Sequence, residues 1–117
     1  MVGLASGECG RHPRGMDKIG MLTEILQQNP KDSFARYGLA MAYAADGKTE
    51  EALREFATTT EHNPDYVPAY QMSAQTLVKV GRIDEARARV QEGLAACDRT
   101  GNAHAASEMQ GILQEIS

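Results

Sequence analysis

Several residues of this chain recur at a fixed interval, and that interval limits the folds open to it. Ala40 recurs as Ala74, Gly47 as Gly81 and Ala52 as Ala86, all at one offset, and Asn63-Pro64 repeats Asn29-Pro30 at the same offset. A period of about 34 residues, carrying small residues and a turn glycine, is the signature of helical hairpins that stack on one another instead of closing one central core.

The pattern between these markers places the elements. Residues 1–15 hold four glycines and one proline with no apolar period, which reads as a disordered leader. Met16 opens the patterned region and is the expected natural start. From Met16 to Gln28, the residues Ile19, Leu22, Ile25 and Leu26 fall at helical spacing behind a cap at Asp17, with Met21 widening the stripe. Asn29-Pro30 stops that helix, because a residue before proline is pushed out of the α region. The next helix is expected from Asp32 or Ser33 to about Asp46, with Leu39, Ala40, Ala42 and Tyr43 inward and Gly47 supplying the left-handed turn. Thr49 begins a third helix that buries Ala52, Leu53 and Phe56 and ends near His62, before Asn63-Pro64.

The second copy follows with Pro68 in a first helical turn, Tyr70, Ala74, Leu77 and Val78 inward, and Gly81 at the turn. Ile83, Ala86, Val90, Gly93 and Leu94 line a helix that runs to about Cys97. There the copy breaks, because Asp98 stands where Pro64 stood. Met109, Ile112, Leu113 and Ile116 then give an amphipathic helix over 102–116 that caps the stack. The domain reading is a leader, 1–15, and one unit, 16–117: capping helix 16–30, repeats 33–66 and 67–100, and capping helix 102–116.

These residues resemble the tetratricopeptide repeat (TPR) family. In a unit starting at Ser33, the signature places hold Leu39, Ala40, Tyr43, Ala52, Phe56 and Pro64, while Arg36 and Thr59 replace the usual aromatic and small residue. In the unit starting at Val67, Tyr70, Ala74, Gly81 and Ala86 fit, and Ser73, Leu77, Val90 and Asp98 depart. The resemblance implies an all-α fold, a short right-handed superhelix of about six antiparallel helices. It also implies a concave groove that receives a peptide or helix of a partner protein. Carried over unit by unit, the groove positions are Phe34, Tyr37, Met41 and Ala45, then Gln71, Met72, Gln75 and Lys79. The competing assignment packs Tyr37 and Met41 on the leading helix and leaves Gln71 and Gln75 merely solvated. Some family members grip a C-terminal carboxylate with Lys and Asn, and those places here hold Tyr37, Met41, Gln71 and Gln75, so that clamp is not expected.

Composition narrows the function. With 12 Lys and Arg against 16 Asp and Glu, the net charge is −4, which opposes general binding to a phosphate backbone. Arg82, Arg87, Arg89 and Arg99 interleave with Asp84, Glu85, Glu92 and Asp98, a solvated mixed-charge face and not a nucleic-acid surface. Cys9 and Cys97 lie far apart, and His12, His62 and His104 have no ligand spacing, so neither a disulfide nor a metal site is expected. No phosphate loop or acid–base pair is present, so no enzyme activity, catalytic residue or cofactor is expected. Without an apolar run of membrane length or a signal peptide, a cytoplasmic location is expected and no membrane partner. Two functions remain: an adaptor that binds a partner protein in the groove, or a module that self-assembles into a homo-oligomer through its end helices.

Overall fold

The computed structural model describes residues 14–117, with side chains from Lys18 onward; the leader 1–13, with Cys9 and His12, lies outside the described residues. The described residues form six helices: α1 (Arg14–Gln28), α2 (Ser33–Ala45), α3 (Thr49–His62), α4 (Val67–Lys79), α5 (Ile83–Thr100) and α6 (Ala103–Ile116). The all-α repeat architecture read from the sequence is therefore the one observed.

Most boundaries follow from local chemistry. Asp32 caps α2, its carboxylate accepting from the Ala35 amide at 3.0 Å. Gly47 and Gly81 take φ of 77° and 83°, the left-handed region that a side chain resists, and each turns the chain into the next helix. Two boundaries depart from expectation. Helix α1 begins at Arg14, so it includes Arg14 and Gly15 from the expected leader, and Asp17 lies inside the helix instead of capping it. One glycine costs a helix only about 1 kcal/mol and did not end this one. Helix α5 continues past Cys97 to Thr100, because Asp98 does not block it as Pro64 blocks α3. Gly101, at φ 71°, ends it, and Asn102 caps α6 by accepting from the Ala105 amide at 3.0 Å. The N-cap residues of the inner helices are Asp32, Tyr66 and Asn102, so the second interval is longer than the first, and the strict period does not extend to the last helix.

Consecutive helices pack as neighbours. Beyond that, the backbone of α4 comes close to those of α2 and α6, whereas among the described residues the backbones of α1, α3 and α5 stay farther apart, and α3 and α5 meet only through side chains such as Arg89 and Thr60. The even helices thus form an inner layer and the odd helices a splayed outer one, which curves the stack. Its core is three local clusters. Leu26, Ala35 and Leu39 join α1 to α2. Ala40, Ala52, Phe56 and Ala69 join α2, α3 and α4, and Tyr70, Ala74, Val90, Cys97 and Met109 join α4, α5 and α6. The small residues at the crossings, Ala40, Ala52, Ala74 and Ala86, are all fully buried, since only a methyl group fits where the axes approach closely. Ile25, assigned to the inner stripe, is instead 40% exposed, and Met21 beside it is 60% exposed.

Candidate functional site

The inner layer presents one repeating stripe. Thirteen-residue α2 and α4 and the slightly longer α6 can be aligned on their caps, and the alignment is checked by burial: Ala35, Ala69 and Ala105 are all buried, as are Leu39, Ser73 and Met109. The outward stripe then reads Phe34, Gly38, Met41 and Ala45 on α2; Pro68, Met72, Gln75 and Lys79 on α4; and His104, Glu108, Gly111 and Glu115 on α6. From α2 to α6 the stripe passes from apolar through amide to acidic. The α6 members were hidden in the sequence, because the added length of α5 moves them off the register of the repeat.

Two hollows lie along this stripe. One, of about 450 Å³, lies between α2 and α4 and is lined by Met41, Ala45, Met72, Gln75, Lys79 and Val80 among others. Methionines suit such a wall, being apolar and conformationally adaptable. The second, of about 240 Å³ between α4 and α6, shares Gln75 and Lys79 and is completed by Val78, Ile112 and Glu115. Phe34 is 77% exposed and lies apart from these hollows, near α1. An ideal Cβ on Gly38 would lie 3.5 Å from Leu22 Cδ1. The Phe34 end of α2 is thus on the helix that packs against α1, and Phe34 and Ile25 of α1 are both exposed.

Tyr37 plays a different part from the one expected of a groove residue. Its ring packs 6.0 Å from Phe56 and 5.5 Å from Tyr66, centre to centre, so it braces α2 against α3 and the loop before α4. Tyr37 and Met41 both pack against the cluster around Phe56 and Ala69. Burial, and then the neighbouring Tyr66, push the Tyr37 hydroxyl above its ordinary value near 10. Gln71 is not simply solvated: its amide donates to Glu108 Oε1 at 3.0 Å, tying α4 to α6. The other oxygen of Glu108 lies 3.3 Å from His104 Nε2.

The outer layer is rich in arginine that is already engaged. Arg82 pairs with Glu85 and Glu50, and its hydrogen bonds hold the Glu85 carboxyl below the ordinary range. Arg99 pairs with Asp65. Arg89 departs from the expected solvated face: its guanidinium lies 5.0 Å from the centre of the Tyr70 ring and donates to Ser73 and Thr60, so it is part of the packing between α3, α4 and α5. A larger hollow of about 630 Å³, lined by Leu94, Cys97, Ala106 and Gln110 among others, lies between α5 and α6. Cys97 is buried there, and burial pushes its thiol up. Among the described residues no group of three or more His, Cys, Asp or Glu is placed to hold a metal ion, and no helix is long and apolar enough to cross a membrane.

Known proteins repeat this architecture. A family model described as the tetratricopeptide repeat matches residues 19–73 and, overlapping them, 44–109. A TPR repeat-containing protein of Pseudomonas aeruginosa is 24% identical over 95 residues, covering 81% of this chain and 90% of its own length. Among solved structures, the TPR2B domain of yeast Sti1, in complex with pHsp70, superposes with a TM-score of 0.81 at 20% identity over 87% of this chain and 82% of that one. YrrB, a TPR protein with an unusual peptide-binding site, superposes with a TM-score of 0.70 at 22% identity over 84% of this chain and 49% of that one. Both structures are similar in fold.

Proposed function

Because this chain belongs to the tetratricopeptide repeat family, we propose that it is a non-enzymatic adaptor that binds a segment of a partner protein along its inner layer. Proteins of this family commonly mediate protein–protein interactions, and the two neighbours described above are a complex with pHsp70 and a peptide-binding protein. The observation that carries the reading is the hollow between α2 and α4, where Met41, Met72 and Val80 offer apolar surface and Gln75 and Lys79 offer polar groups. A concave apolar wall with a few convergent polar groups is the common form of a binding site. Gln75 can donate to and accept from the backbone of an extended segment, which fixes direction without requiring charge. Of the residues expected in the groove, Met41, Ala45, Met72, Gln75 and Lys79 support this reading together; Gln71 joins them at the α6 side, Phe34 extends the surface toward α1, and Tyr37 acts behind it as a brace.

A photo-crosslinking residue in place of Ala45, with Ala88 on the outer layer as the control, tests the reading in lysate by mass spectrometry. Both positions are accessible, neither being buried. A partner captured from position 45, absent from position 88 and lost when Gln75→Ala is added, is the expected result. Equal capture from both positions would remove the groove from the account. The exposure of Phe34 and Met21 favours one second reading, self-association through the α1 end. Light scattering across a wide concentration range checks it: mass that rises with concentration and returns to monomer in Phe34→Ser supports assembly, and a constant monomer opposes it.

A further inference from the structure

Resting on the groove reading above, we infer that the occupant is a segment with apolar side chains at one end and Lys or Arg at the other, laid from α2 to α6. The stripe is graded along that line. On α2 it is Phe34, Gly38, Met41 and Ala45, with no charge; on α6 it includes Glu108 and Glu115, and α6 carries no Lys or Arg from Ala103 to its end. Lys79 is the lone lysine or arginine on the three stripes, against two carboxylates. The surface is continuous from Met41 to Glu115, since the Met41–Met72 hollow and the hollow reaching Glu115 share Gln75 and Lys79.

Glu108 is held in place by Gln71, whose amide donates to one of its oxygens, and by His104 beside the other, while its side chain stays about half exposed, at 48%. Glu115 lines the second hollow beside Ile112. An acidic segment in the same path would bring like charges together at α6, which costs binding and excludes that class of partner. Two steps between inner helices, at roughly 10 Å each, span about 20 Å. An extended segment covers that in about six residues at ~3.3 Å each, which sets the separation of the apolar anchor from the basic group.

Fluorescence anisotropy with two labelled peptides tests this. Both carry Leu-Met, a four-residue Ser-Gly spacer and a charged end, which is Lys-Lys in one and Glu-Glu in the other. The Lys-Lys peptide is expected to bind about three- to ten-fold tighter at low salt, the range for two exposed charge pairs. High salt, or the Glu108→Gln/Glu115→Gln variant, should close the difference to within about two-fold. The salt series on the unaltered protein gives the result even if the variant folds poorly. Equal binding of both peptides, each lost in Ala45→Glu, would keep the groove and overturn the basic occupant. Tighter binding of the Glu-Glu peptide would overturn it too. If neither binds at millimolar concentration, the groove reading and this inference fall together. A dimer seen by sedimentation and dissociated by Ala45→Glu would assign the groove to a second copy and overturn the inference.

Discussion

Arg36 in the first hairpin and Tyr70 in the second occupy the same place in the repeat and hold the same contacts by different chemistry. The Arg36 guanidinium donates to the carbonyl of Pro30 at 2.9 Å, and the Tyr70 hydroxyl donates to the carbonyl of Pro64, the equivalent proline, at 2.8 Å. Each ties its helix to the proline that ended the one before. Their partners on the second helix are also equivalent: Arg36 pairs with Glu55 at 2.6 Å, and Tyr70 lies under Arg89. One hairpin has a cation on its inner helix and a carboxylate on its outer helix; the other has an aromatic ring on the inner and a cation on the outer. The repeat therefore keeps a geometric requirement, a polar tie to the preceding proline and a favourable cross-helix pair, and leaves the residue types free. The small-residue site shows the same freedom. Thr59 fills it in the first hairpin, fully buried, with its hydroxyl donating to the Glu55 carbonyl at 2.7 Å, and Gly93 fills it in the second.

The largest expected effect separates the hairpins by core volume. Phe56→Ala should cost about 3–5 kcal/mol, and the equivalent Val90→Ala about 2 kcal/mol, because fewer buried groups are removed. Urea titrations measure both, and equal losses would mean the two clusters are not equivalent in the way described. Next, Gly93→Ala should lose about 1–3 kcal/mol by overpacking. Its new Cβ would meet Met109 Sδ at 2.5 Å and Tyr70 Cβ at 2.8 Å, and only the methionine end can move away. Thermal melts showing no loss would place α6 farther from α5 than this packing allows. A smaller effect sharpens the exchange of pairs. Glu55→Arg alone sets two guanidinium groups face to face and should cost roughly 2 kcal/mol at this half-buried site. Arg36→Tyr added to it, which copies the second hairpin, should recover more than half, as read in a double-mutant cycle.

The smallest effect is alkaline. The Tyr37 hydroxyl is pushed up by burial and by Tyr66, so the folded state holds this proton more tightly than the unfolded chain does. That contribution is complete below the ordinary tyrosine value near 10 and is lost as pH rises through the higher folded value. The equivalent place in the second hairpin is Gln71, which does not titrate. Melting temperature should therefore fall less above pH 10 in Tyr37→Phe than in the unaltered protein. An identical fall would remove Tyr37 from the account.

Much of this fold is written in single residues with one physical meaning. The Asn-Pro stops, the turn glycines and the alanines at the crossings each permit few alternatives, and α1, α2, α3 and α4 each end within two residues of the Asn-Pro stop or turn glycine that closes them. What escaped were features that depend on a residue being absent. Nothing in the local pattern states how far α5 runs once Asp98 replaces the stopping proline, so the positions of α6 shifted off register and Glu108 and Glu115 went unassigned. Helical spacing also cannot tell a groove wall from the brace behind it. Tyr37 carries the right spacing for both, and the rings of Phe56 and Tyr66 decide between them only in three dimensions. Arg89 is similar, reading as one more surface cation until Tyr70, Ser73 and Thr60 gather around it.

Partner binding on the inner layer is tested most directly by comparing the captured partner's affinity for Ala45→Glu and Ala88→Glu, both accessible sites in helices that tolerate glutamate. With melting temperatures matched, Ala45→Glu should weaken binding by about ten-fold or more, as expected of a charge placed in the centre of an apolar contact, and Ala88→Glu by less than about two-fold. A loss confined to Ala88→Glu, or no loss in either, would contradict it.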